Sequence, residues 1–131
     1  MENFTTKIIE CTHELTAREK ILMKDTTNAR KIDNEVDLCA SSGEKLIISP
    51  VDYAILQIHN EKSKDRKDYL NYIIIDANGE KYVTGSPSFW QSFKNIWDEM
   101  KSESESDFEI SIYKVPSKNY SGKDFITCSI I

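Results

Sequence analysis

Two groups of cations and a small set of aromatic rings carry the chemistry this chain could do. Lys62, Lys64, Arg66 and Lys67 crowd one short segment, and Lys118 and Lys123 flank Asn119 and Tyr120 in another. Tyr69, Tyr113 and Phe125 stand at the borders of these segments. Ammonium and guanidinium groups pair with phosphates, and ring faces stack on bases at roughly 1–3 kcal/mol per base. Such chemistry holds a single strand and makes or breaks no bond. There is a plainer reading of each residue. Glu61, Asp65 and Asp68 dilute the first group, loop lysines often do no more than maintain solubility, and exposed tyrosines often serve only cross-strand pairing. The binding reading rests on coincidence: two cationic segments, each bordered by rings.

The elements that must position these residues follow from periodicity. Val51 to His59 alternates Ala54, Leu56 and Ile58 with Tyr53, Ile55 and Gln57, as a strand requires. Residues 60–68 read as a long charged hairpin loop. Tyr69 to Asp76 is a β-branched and aromatic strand, and Asn78-Gly79 is a strong hairpin signal joining it to Lys81–Thr84. Ser86 is a good N-cap and Pro87 suits the first helical position. The helix that follows carries Phe89, Phe93, Ile96 and Met100 on one stripe, with Trp90 and Trp97 on its flank. Gln91 and Lys94 fall on the polar, solvated side. Phe108, Ile110 and Ile112 point inward from the next strand, which leaves Tyr113 outward. In the last strand Ile126, Cys128 and Ile130 share a face and Phe125 takes the other. The order from residue 51, β-β-β-α-β-β, is that of an oligonucleotide/oligosaccharide-binding (OB) barrel. Such barrels bind ligand on an open face and in the loops after the first and fourth strands.

Residues 1–50 read as an N-terminal extension of this 51–131 barrel core. Phe4 to Cys11 could form a strand, although Ile8-Ile9 spoils its alternation. Thr16-Ala17-Arg18-Glu19 matches a capping box, yet Lys20 to Lys24 would serve as well in a strand. A short helix followed by irregular chain is the preferred of the two. Lys45 to Ser49 is a short strand stopping at Pro50.

Composition bounds the rest. At 131 residues the chain suits one mainly β, α+β domain with a single core. No apolar run approaches the roughly 18 residues of a membrane helix, and the acid-bearing N-terminus is unlike a signal peptide. Cys11, Cys39 and Cys128 are scattered, which points to buried or partly buried thiols in a reducing cytoplasm, with neither a zinc site nor a disulfide framework. A net charge of −5 argues against a groove that clamps duplex DNA by charge alone. It leaves room for single strands, where stacking shares the work. No hydrolase elbow, zinc-protease motif or phosphate loop is present, and four glycines leave little for a nucleotide-cradling turn. A binding protein without cofactor or metal is therefore expected in preference to an enzyme. His13 and His59 form no motif. A second class stays open. Asp98, Glu99, Glu103, Glu105, Asp107 and Glu109 could form the charged face of an acidic protein-interaction module that mimics nucleic acid and occupies a host protein's basic groove.

Three short stretches add a resemblance. At Asp25-Thr26-Thr27-Asn28-Ala29, at Tyr82-Val83-Thr84-Gly85-Ser86 with Phe89-Trp90, and at Pro116-Ser117-Lys118-Asn119 running into Gly122-Lys123-Asp124-Phe125, the chain resembles small single-stranded-DNA-binding proteins of tailed phages of Gram-positive bacteria. The resemblance spans most of residues 5–131. It implies an OB-type barrel that coats single strands during phage replication or recombination, without strong sequence preference and without a cofactor. It also implies the host cytoplasm as location, with replication or host proteins, or a second copy of the chain, as further partners. On matching positions it points to Lys118, Asn119, Lys123 and Phe125. Bacterial single-strand-binding proteins typically end in an acidic tail. Here Thr127-Cys128-Ser129-Ile130-Ile131 is apolar, so the resemblance carries neither tail-mediated recruitment nor tetramer assembly of the bacterial type.

Overall fold

The computed structural model describes residues 4–12, 14–60, 68–103, 107–116 and 124–131. The chain runs β1 (Phe4–Cys11), α1 (Ala17–Lys24), β2 (Arg30–Lys31), α2 (Ile32–Ser41), β3 (Leu46–Ile48), β4 (Pro50–Asn60), β5 (Asp68–Asp76), β6 (Lys81–Thr84), α3 (Pro87–Ser102), β7 (Ile110–Pro116) and β8 (Asp124–Ile130). The strands form a five-stranded sheet in the order β1-β4-β5-β6-β2 and a three-stranded sheet in the order β3-β7-β8.

Local chemistry explains most of these elements. Gly79 takes a φ of +84°, as the turn between β5 and β6 demands. The buried Asp76 accepts from the backbone N–H of Asn78 and Glu80, at 2.9 and 3.0 Å, and so ties that turn. Thr16 and Glu19 form a complete capping box at α1, which settles Lys20–Lys24 as helix. Ser86 accepts from the Phe89 N–H, with Pro87 opening α3. In β1 a bulge between Ile8 and Glu10 accounts for the broken alternation and leaves Ile9 exposed. α2 carries no capping signal, since Lys31 makes no side-chain cap. Its apolar positions Ile32, Val36 and Cys39 keep helical spacing, which is the signal that sequence reading passed over.

The architecture is mixed α+β, mostly strand, with three helices. The expected five-stranded barrel is not closed. Of the strands after residue 49, β4, β5 and β6 lie in the larger sheet and β7 and β8 in the smaller, and no pairing among the described residues joins the two. The chain crosses between sheets at Ser49-Pro50. α3 fills the space between them, burying Phe89, Trp90, Phe93 and Trp97. Its stripe is turned toward the tryptophans relative to expectation, and Ile96 and Met100 are only partly buried. The reason lies in the opposing sheet. Tyr53 of β4 meets Trp90, Phe93 and Trp97 edge-on, with centroids 5.1, 6.1 and 5.3 Å away, and Tyr72 of β5 stacks on Trp90 at 4.6 Å. Pairs of this kind contribute about 0.5–1.5 kcal/mol each beyond area burial. On the other side, Ser88 Oγ donates to the Ile126 carbonyl at 3.0 Å and Ser92 Oγ meets Thr127 Oγ1 at 2.8 Å, so α3 covers β8, an edge strand. The opposite face of the larger sheet packs Ala54, Leu56, Ile73 and Val83 under Met23 of α1.

Lys94 is not simply solvated. It donates to the Tyr53 hydroxyl at 2.8 Å and to Asp98 at 3.0 Å, while Tyr53 donates to Glu10 at 2.7 Å. Burial raises the Tyr53 phenol; the bond from Lys94 lowers it and the bond to Glu10 raises it further. At Lys94 burial opposes the charge, but the bonds to Tyr53 and Asp98 outweigh it and the pKa is raised. Stability linked to raised groups is complete below the unfolded tyrosine value of about 10 and is lost as pH rises through the folded values. We expect Tyr53→Phe to lower stability by about 1 kcal/mol at neutral pH. With one titrating group gone, the variant should also lose less stability between neutral and alkaline pH. Urea unfolding at both pH values measures this, and an alkaline loss equal to that of the parent would contradict it.

Candidate nucleic-acid interface

β7 and β8 present one face to the core and one outward. Ile110, Ile112, Ile126 and Cys128 are buried, which leaves Ser111, Tyr113 and Val115 on the far face of β7. Their antiparallel partners are Ser129, Thr127 and Phe125 respectively. Tyr113 and Phe125 are thus diagonal neighbours, about 7–8 Å apart in such a register, and both rings fall outward as alternation requires. Phe125 is 40% exposed. Tyr113 is half-buried: its hydroxyl hydrogen-bonds Ser129 Oγ, and Lys45 Nζ lies 4.6 Å from its ring centroid. Lys45 was not among the sequence candidates. It stands immediately before β3, the strand that pairs with β7, and nothing local in the sequence announces that pairing.

The larger sheet reaches the same end of the molecule. Tyr69 pairs with Ile58 and is half-buried, and His59 Nδ1 lies 2.6 Å from Asp68 across the mouth of the β4–β5 hairpin. A Cβ added at Gly85 would lie 3.7 Å from both the Leu70 carbonyl oxygen and Asn71 Oδ1, placing Gly85 against the start of β5. One residue on, Ser86 caps α3, and Ser88 then bonds to Ile126 near the start of β8. The start of β5 and the start of β8 therefore flank the first turn of one helix. Lys62, Lys64, Arg66, Lys67, Lys118, Asn119, Tyr120 and Lys123 lie outside the described residues, in the segments these two strand starts adjoin.

Electrostatics differ at the other end of α3. Asp98 and Glu99 belong to its last turns and Glu103 caps it, about 16–24 Å from its first residue at 1.5 Å per residue. Several cations elsewhere are engaged in structure. Arg30 pairs with Glu80 at 3.1 Å, Lys114 with Asp37 at 2.8 Å, and Lys81 donates to the carbonyls of Leu22 and Asp25. Burial lowers the Lys81 pKa, with the Asp25 charge acting the other way. Burial also pushes the Cys128 thiol up to about 12, so it stays protonated. Cys11 and Cys39 are half-buried free thiols. Among the described residues no group of His, Cys, Asp or Glu could hold a metal ion, and no helix is long and apolar enough to cross a membrane.

The geometry separates packing from display at the ring pair. Phe125→Ser should change stability by no more than about 0.5 kcal/mol, whereas Tyr113→Phe, which removes the Ser129 bond, should cost about 1 kcal/mol. Chemical denaturation of the two variants tests the contrast. A large loss for Phe125→Ser would mean that its ring is packed and not displayed.

Compared with protein-family models, with curated proteins and with solved structures, the chain matches none.

Proposed function

We propose that this chain is a non-enzymatic single-stranded-DNA-binding protein, acting in phage-type replication or recombination, with an OB-like order of strands left open between two sheets. One observation carries the reading: Tyr113 and Phe125 share an outward face, on a hairpin whose end adjoins the same helix turn as the β4–β5 hairpin. Both lysine-bearing segments adjoin that region, and the acids of α3 stand at its far end. A negative net charge is compatible with strand binding when charge is divided in this way, since short-range pairing and stacking act locally. In this reading bases lie over Phe125 and along Tyr113, Lys45 over one face of the Tyr113 ring adds a cation there, and phosphates pair with cations drawn from Lys62, Lys64, Arg66, Lys67, Lys118 and Lys123. Tyr69, Asn119 and Tyr120 supply further contacts along the strand.

Fluorescence anisotropy with labelled oligo-dT, against duplex of equal length, tests the proposal. Single strand should be preferred, with log affinity falling at a slope of about −3 against log salt if about four cations meet phosphates. Phe125→Ala should remove about 1–3 kcal/mol of binding, and Lys118→Ala should flatten the slope by about 0.7. Absence of binding at micromolar protein in low salt would overturn the proposal.

A further inference from the structure

A cleft of about 390 Å³ opens between the start of α2, the first half of β5 and the end of β6, with Thr26, Lys31, Asp33, Asn34, Asn71 and Gly85 on its walls. We infer that this cleft is a base-reading subsite that takes a nucleobase bearing an exocyclic amine; the inference rests on the single-strand reading above and extends it. Gly85 belongs both to this cleft and to the junction that leads into α3, so a strand crossing the interface passes its mouth.

The chemistry of the walls selects the ligand. Thr84 is buried, and its Oγ1 accepts from the Ser86 N–H at 3.2 Å. Its single proton is therefore directed to Asp33 Oδ1, 2.9 Å away. The Asp33 carboxylate is held in one orientation, and its Oδ2 has no hydrogen-bond partner among the described residues. An ionised carboxylate accepts and never donates, so it favours a base edge that offers N–H groups. Cytosine, adenine and guanine carry an exocyclic amine, whereas thymine offers only its ring N3–H, set between two carbonyls that a carboxylate repels. The carboxamides of Asn34 and Asn71 offer donors and acceptors for the rest of such an edge. Lys31 supplies a cation for the attached phosphate. The volume falls within the roughly 300–1,000 Å³ usual for ligand sites. Gly85 matters at the rim, where a side chain would stand 3.7 Å from Asn71 Oδ1 and narrow the entry.

The plainer role for Asp33 is an acid in the first turn of α2 that favours the helix electrostatically. Ligand selectivity separates the two roles. Oligo-dC and oligo-dT of equal length are titrated by anisotropy at mildly alkaline pH, where oligo-dC stays single-stranded. The parent protein should bind oligo-dC roughly tenfold more tightly. Asp33→Asn should erase that preference by weakening oligo-dC alone, and Asn71→Ala should reduce it if Asp33→Asn fails to fold. Equal affinities in the parent, or equal weakening of both strands in the variants, would overturn the inference. If neither strand binds, the single-strand reading fails first. The cleft is then examined with dCMP and TMP by amide chemical shifts: changes at Asp33, Asn71 and Gly85 with dCMP alone support it, and none with either nucleotide overturns it.

Discussion

Four large rings on one side of a sixteen-residue helix must be taken out of water, and much of the molecule follows from where they go. Burying a side chain of this size is worth about 1.5–3 kcal/mol, so α3 alone contributes a large part of the favourable burial. The rings enter the gap between the sheets and find tyrosines. Tyr53 presents its ring to three of them, while its hydroxyl is satisfied by Glu10 and Lys94 at the edge of the cluster. A buried phenol needs such partners. The wedge also holds the two sheets apart, and it seats the first turn of α3 between the starts of β5 and β8. The region proposed to bind a strand is thus placed by how the core is filled.

Charge is arranged along the same helix. Its acids gather at the C-terminal turns, where Lys94 and Lys101 are also engaged, the latter 4.5 Å from the Trp97 ring centroid. Its N-terminal end is lined by hydroxyls, Ser86, Ser88 and Ser92, already bonded to backbone or to one another. Exposed charges separated by more than a Debye length of about 8 Å interact weakly at physiological salt. A strand bound at the other end, as proposed, would therefore be little repelled by the acidic end.

What could be read from the sequence divides by range. Asn78-Gly79, Thr16 to Glu19 and Ser86-Pro87 were legible because each is a contract between residues a few positions apart, and each is formed. The outward placement of Tyr113 and Phe125 was legible too, since alternation in a half-buried strand assigns faces without reference to the rest of the fold. The division of strands between two sheets was not, because a strand's own pattern does not name its partner. Lys94 looked solvated because its helical position is polar, and only the arrival of Tyr53 from β4 makes it a donor to the core. Lys45 over Tyr113 and Thr84 against Asp33 are contacts between distant segments. No local pattern announces either.

The claim that strand binding is centred where the two hairpins flank α3 is tested most directly by hydrogen–deuterium exchange with and without saturating oligo-dT. The account predicts slowed exchange around His59–Asn71, around Tyr113–Thr127 and in the first turn of α3, with residues 98–109 and α1 unchanged. Slowing confined to the acidic stretch or to α1, or no change at all, would contradict it.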